Sequence, residues 1–559
     1  MARRNDPFNS RNAKWGANLI STLIAWSIVA PFAMAETLSN TQSASSNIDN
    51  KPISKTFAVI LIILGIALIP LFIPLISLAF ECFLALPLLI IPIIIWGGII
   101  SLVVEAFGNK DNKKKKRAVQ IPLGATEIKN DAYRFTNDIS EIIIPNSVLS
   151  IGDRAFINCK NIEKILIPNN VASIGEYTFR NCEKLKEIIV DDENPNYDSR
   201  DNCNAIIESV NNKIIIGCNK SIIPESVTSI ADGAFRDCKK LPSIIFPYSI
   251  VYIGEHAFEG CSALTKVIIP DSVNGIGYKA FAHCTELKYL SIGGGVTNFG
   301  EAVFHHCIKL TSVLIQNGVT RIGDGLFVSC EAIQEIILPN SLKTIGNYAF
   351  KGCSSLKTIE IPNNVTEIGE YAFCSCLNIA SIRIPDGVKE IRNSTFSGCS
   401  NLETIVIPNS VTSIGENAFS NCTKLKSITI PNSIVSIKRN AFWGCKNLVK
   451  VNIENITLWC KVIFQNYFSN PLWRGLDLYC NGEIVKKISF TDDNITEIKP
   501  YTFYGCTSIK EAVFDKHIKE IGCQSFRFCH NLEKVTIEKT TRIREQAFDG
   551  CEKLILLKQ

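Results

Sequence analysis

The sequence predicts a β-rich solenoid of stacked 23-residue turns, preceded by amino-terminal transmembrane helices. Three observations carry that prediction. A phenylalanine returns every 23 residues without a break from Phe235 through Phe258, Phe281 and Phe304 to Phe442. Fifteen phenylalanines on this pattern, from Phe156 to Phe548, have a cysteine three residues on. Ahead of them lies a stretch of 51 almost wholly apolar residues, 57–107. Self-similarity at such a period marks units that stack because none can bury its own apolar face.

The segment from Val411 to Pro431 serves as the template. Leu425, Ile428 and Ile430 form Leu-x-x-Ile-x-Ile. Its last two members alternate as strand residues do, so they face one side. Pro431 cannot donate to a ladder and ends the strand. Val411 and Ile414 make a second short apolar pair, Gly415 permits a turn, and Ala418-Phe419 points inward again, with Cys422 after it. Leu-x-x-Ile-x-Ile-Pro, Val-x-x-Ile-Gly and Ala-Phe-x-x-Cys together resemble the BspA-like leucine-rich repeat family, over roughly residues 118–559. The resemblance implies a curved right-handed solenoid with a parallel sheet on its concave face. It also implies a role in binding or adhesion, often at a microbial surface.

Taken in order, residues 1–35 begin with Arg3, Arg4, Arg11 and Lys14 and continue with an apolar run ending Ala33-Met34-Ala35. That is the pattern of a secretory signal peptide, with an uncleaved signal anchor as the competing reading. Residues 36–56, rich in Ser and Asn, read as a polar linker. Residues 57–107 are too long for one span of about 20 residues and suit two, a transmembrane helical hairpin turning near Glu81-Cys82. A basic juxtamembrane segment, 108–117, follows, with Lys110 and Lys113–Arg117. Basic residues beside a span favour the cytoplasm, whereas the signal-like start and the resemblance favour an array outside. The expectation is a membrane protein whose array, 118–559, is extracytoplasmic, against a cytoplasm-facing alternative.

The array opens on a worn repeat in which Tyr133 holds the phenylalanine position, 23 before Phe156, and Thr136 the cysteine position. Two insertions break the step, near 191–223 and near 454–500. The first offers an oxygen-rich loop, Asp191–Tyr197, read as a solvated turn ahead of calcium binding. A hairpin around Asn211-Asn212 follows it. The second gathers Trp459, Phe464, Tyr467, Phe468, Trp473 and Tyr479 before an Asn481-Gly482 turn. The last residues, Leu557–Gln559, read as a strand with an open edge.

A net charge of +5 on 559 residues is too weak for a dedicated nucleic-acid binder. No phosphate-binding loop, Gly-x-Ser-x-Gly or His-Glu-x-x-His occurs, so no catalytic residue and no cofactor is expected. Of the 22 cysteines, 15 share one column. Stacked neighbours about 5 Å apart, pointing the same way, make poor disulfides, and a line of thiols does not converge on zinc. They read as buried, small apolar side chains; Cys203 and Cys218, flanking the hairpin, are open to pairing. His283 and His306 share a column beside His305, read as loop histidines ahead of a metal site. The surface expected to act is the outward column of the main strands: Ile143, Leu166, Ile189, Ile245, Ile268, Ser291, Leu314 and Ile337, turning mixed from Glu360. An apolar stripe of that length, rimmed by charge, points to a protein or peptide ligand, and the adhesive role that the resemblance implies puts host or extracellular-matrix proteins among the candidates. Trp459, Tyr467 and Trp473 form a second candidate, an aromatic platform.

Overall fold

The computed structural model describes residues 117–490 and 495–559. The expected signal segment and transmembrane hairpin lie outside the described residues. Among the described residues no helix is long and apolar enough to cross a membrane.

A regular turn of the array contributes one main strand and one two-residue strand, and both kinds pair in parallel with the neighbouring turns at a 23-residue offset. The main strands Lys266–Ile269, Tyr289–Ile292 and Ser312–Ile315 show the register Val267↔Leu290↔Val313. Residues such as Val267 and Ile269 point into the core while Lys266 and Ile268 face out. The two-residue strands Tyr252–Ile253, Gly275–Ile276 and Asn298–Phe299 form the second ladder. A third set of bonds closes the corner between them. There the phenylalanine N–H donates to the next turn, as from Phe350 to the Ala372 carbonyl at 2.8 Å and from Phe396 to Ala418 at 2.9 Å. Backbone groups that would be orphaned in one turn are thus satisfied by its neighbours.

The phenylalanine column fills the core. Phe350 stacks on Phe327 and Phe373 with ring centroids 5.7 and 5.4 Å away and planes within 14° of parallel. Tyr133 stacks on Phe156 at 5.2 Å, so the worn first repeat is a true turn. The cysteine column does more than fill space. In the regular turns from Cys261 to Cys445 each thiol donates to the phenylalanine carbonyl of the turn before, as from Cys376 to Phe350 at 3.1 Å, Cys399 to Phe373 at 3.2 Å and Cys422 to Phe396 at 3.2 Å. That donor explains cysteine over alanine or valine at a site with a spare carbonyl lone pair.

Gly415 works differently from its expected role as a turn residue. A Cβ there would lie 2.5 Å from the carbonyl carbon of Arg392, so glycine is required by the close approach of two turns. The left-handed backbone falls on Asn417 and Asn421, with φ of 54° and 60°. The equivalent positions in other turns are taken by residues without β-branching, such as His256, Tyr348 and Ser375.

The first insertion builds the expected hairpin, Ile206–Glu208 with Lys213–Ile216. It joins the two-residue ladder through Lys213↔Ser229 and so stands in for a missing turn. A bulge between Ile214 and Ile216 turns these two side chains to opposite faces. Ile207 and Ile214 belong to the core that runs on to Ala547, whereas Ile206 and Ile216 belong to the separate core of the earlier turns. The hairpin is a partition with two apolar faces. The loop before it is held by Asn194, which donates to the Pro168 and Val171 carbonyls and accepts from the Asn196 and Tyr197 N–H groups. Cys203 and Cys218 do not pair: both are free thiols, one in each core.

The second insertion carries a short helix, Ile456–Lys461, capped by the Asn455 side chain. The chain then returns to the main ladder at Asp477–Cys480, beside Lys450–Ile453. The expected tight turn is present, with Asn481 and Gly482 at φ of 52° and 87° between antiparallel strands. The strand Ile555–Lys558 pairs with Lys534–Ile537.

Candidate interaction surface

The outward column follows from strand alternation, since each member sits between two core residues. The ladder puts Leu166 beside Ile189, Leu314 beside Ile337, and Ile337 beside Glu360. Ile143, Leu166, Ile268 and Leu314 are exposed, and Ile189 is half-buried. Ile245 is 83 % exposed and Ile337 69 %.

Two features interrupt the expected, nearly continuous stripe. Ile245 lies on no strand. Pro242 and Pro247 bracket it and remove two ladder donors, yet Ile244 and Phe246 still turn inward. Ser291, in register between Ile268 and Leu314, is only 4 % exposed and makes a notch in the row. The first insertion further separates the group at Ile143, Leu166 and Ile189 from the group at Ile245, Ile268, Leu314 and Ile337. The flanking column is polar. Lys164 meets Glu187 at 2.8 Å, and the Lys266 ammonium lies 5.3 Å from the Tyr289 ring centroid.

The three-residue aromatic platform does not assemble. Trp459 is 2 % exposed, and its indole N–H donates to the Thr502 carbonyl at 3.0 Å, which locks it into the core. Trp473 donates to the Phe442 carbonyl and carries the Arg474 guanidinium over its ring. Tyr467 does reach the surface, where it stacks on Tyr504 at 5.3 Å; Phe528 meets Tyr504 edge-on at 5.7 Å. That grouping was invisible in the 23-residue columns because Tyr467 belongs to the insertion.

His283, His305 and His306 come together, their ring centroids 5.2–5.9 Å apart. Burial lowers the pKa of His283 and His305, with the neighbouring imidazoles adding to the shift, which favours neutral rings. Among the described residues no group of three or more His, Cys, Asp or Glu is placed to hold a metal ion. The column thiols from Cys238 to Cys445 are pushed up by burial, Cys284 to about 12, so they are not nucleophiles at neutral pH.

Comparison with known proteins places this architecture. The model for the BspA type leucine-rich repeat region matches residues 104–213, 208–334, 320–449, 389–470 and 477–556. Among solved structures, a leucine-rich repeat protein from Bacteroides ovatus is 26 % identical, with 79 % of this chain and 94 % of that one covered and a TM-score of 0.46. A leucine-rich cell surface protein from Faecalibacterium prausnitzii is 23 % identical over 62 % of this chain and 93 % of that one, with a TM-score of 0.30. A pneumococcal vaccine antigen is 19 % identical over 73 % and 86 %, with a TM-score of 0.37. No curated protein matches. With the family model recurring over most of its length, the chain belongs to the BspA type leucine-rich repeat family.

Proposed function

We propose that this protein is a non-enzymatic, membrane-anchored recognition protein that grips a protein or peptide ligand on the outward face of its main sheet. The observation that carries the reading is the group Ile245, Ile268, Leu314 and Ile337, all exposed on one face and rimmed by Lys266, Ser312 and Glu335. Aliphatic side chains held by a rigid ladder lose little entropy on binding, and a charged rim sets orientation. The array is taken to lie outside the cell, with host or extracellular-matrix proteins as the ligand class. Replacing Ile245, Ile268 and Leu314 together with serine should abolish capture of such proteins from an immobilised panel while circular dichroism stays native. Unchanged capture by the triple variant ends the proposal.

One observation favours a second reading, a cytoplasm-facing scaffold. Every described cysteine is a free thiol, as a reducing compartment would keep it. Protease added to whole cells separates the two: cleavage of the array from outside supports surface recognition, and protection supports the scaffold.

A further inference from the structure

Four of the chain's six histidines, His256, His283, His305 and His306, fall on three consecutive turns. Three of them meet on one corner. The His283 ring centroid lies 5.2 Å from those of His305 and His306, which are 5.9 Å from each other. The corner is also a joint between turns. The His283 N–H donates to the His305 carbonyl at 2.8 Å, and the His306 N–H donates to the Val328 carbonyl at 2.8 Å. The chain runs from here straight into the main strands Tyr289–Ile292 and Ser312–Ile315.

The surroundings of the trio do not suit a positive charge. An imidazolium carries a hydrogen on both ring nitrogens, but His305 Nδ1 is buried and has no hydrogen-bond partner. A proton there would have neither water nor an acceptor, which disfavours the charged ring. Each charged ring would also stand beside two others. The preceding turns bring two carboxylates near, and both are engaged elsewhere. Glu259 is held by Arg236 at 2.6 Å and by His256 at 2.7 Å, and Asp237 is held by Arg180 at 2.9 Å. Lys279 adds a permanent positive charge, its ammonium 5.0 Å from the Tyr278 ring centroid, with Glu301 exposed beside it. The thiols of Cys284 and Cys307, behind the rings, are held protonated by burial. In the turn that follows, the aligned positions are Val328 and Ser329, which carry no charge.

We propose that this corner is an acid-sensitive catch, closed around neutral rings at pH 7 and loosened when His283, His305 and His306 take up protons. Burial lowers the pKa of His283 and His305 from the ordinary value of 6.5, so the unfolded corner takes up protons before the folded one. Stability from these rings is fully present above pH 6.5 and is lost as pH falls below it. The catch does not depend on what the main sheet binds, so either proposal can hold without the other.

The test is hydrogen exchange of the purified full chain from about pH 7.5 to about pH 5.0, across the ordinary histidine range, with rates corrected for the intrinsic pH dependence of exchange. Amides of residues 277–310 should exchange roughly threefold faster or more at the acid end, the effect of one pair of like charges about 5 Å apart even with water-like screening. Residues 396–445, which include no histidine, should show no such rise. His283→Gln, at an exposed position, removes two of the three ring contacts and should cut the rise by more than half. Combining His283→Gln with His305→Gln and His306→Gln should abolish it; if that triple variant does not fold, His283→Gln decides alone. No rise at the corner of the wild type, an equal rise in residues 396–445, or a full wild-type rise in His283→Gln would each overturn the proposal.

Discussion

The uninterrupted turns from Phe235 to Phe442 and the spliced turns around the first insertion solve the same problem in opposite ways. In the regular run every column repeats. Each phenylalanine inside the run has a ring on both sides, each thiol has a carbonyl, and each close glycine meets the backbone of the turn before. At the splice the columns stop. The core divides, and a hairpin with two faces takes the place of a turn. Repetition yields rigidity and nothing to distinguish one turn from the next, while its interruption yields a partition between two cores.

The comparison is open to attack at three points. The largest effect is expected from alkali. Burial holds the regular run's thiols above the ordinary value of 9.0, Cys284 at about 12. The folded state therefore keeps protons that the unfolded state loses. Stability from these groups is fully present below pH 9.0 and is lost as pH rises towards 12. Because the thiols from Cys238 to Cys445 all shift the same way, hydrogen exchange should show this run opening cooperatively over that window. A run that stays protected to pH 12 would break the account of the thiol column.

Next in size is Phe350→Ala, expected to cost about 3–5 kcal/mol in denaturant melts. Phe179→Ala should cost less by about 0.5–1.5 kcal/mol, since Phe179 has a stacked ring on one side only. Equal costs would mean that the stack adds nothing beyond burial. The smallest and most local test uses the partition. Ile214→Ala and Ile216→Ala should each cost about 2–4 kcal/mol, but hydrogen exchange should rise after the insertion for the first and before it for the second. A rise on both sides for either variant would mean that the two cores behave as one.

Much of this was legible in the chain. The step of 23 foretold the ladder and its register, and Asn481-Gly482 and Asn211-Asn212 announced their hairpins through turn chemistry. Alternation put Ile268 and Leu314 outside. The aromatic platform was not legible, because an indole in an insertion can turn to either face. Trp459 turned inward once Thr502, 43 residues away, offered a carbonyl.

Periodic facts were determined by sequence alone, because a residue in a stacked turn meets its own counterpart 23 positions away and the pattern carries its own partners. The phenylalanine stack, the inward and outward faces and the membership of the family are of this kind. The tertiary structure decided what happens where the period fails. The bulge that sends Ile214 and Ile216 to different cores and the close approach of Gly217 to the Phe235 ring depend on contacts between segments that do not resemble each other, and no column of the sequence lines those up.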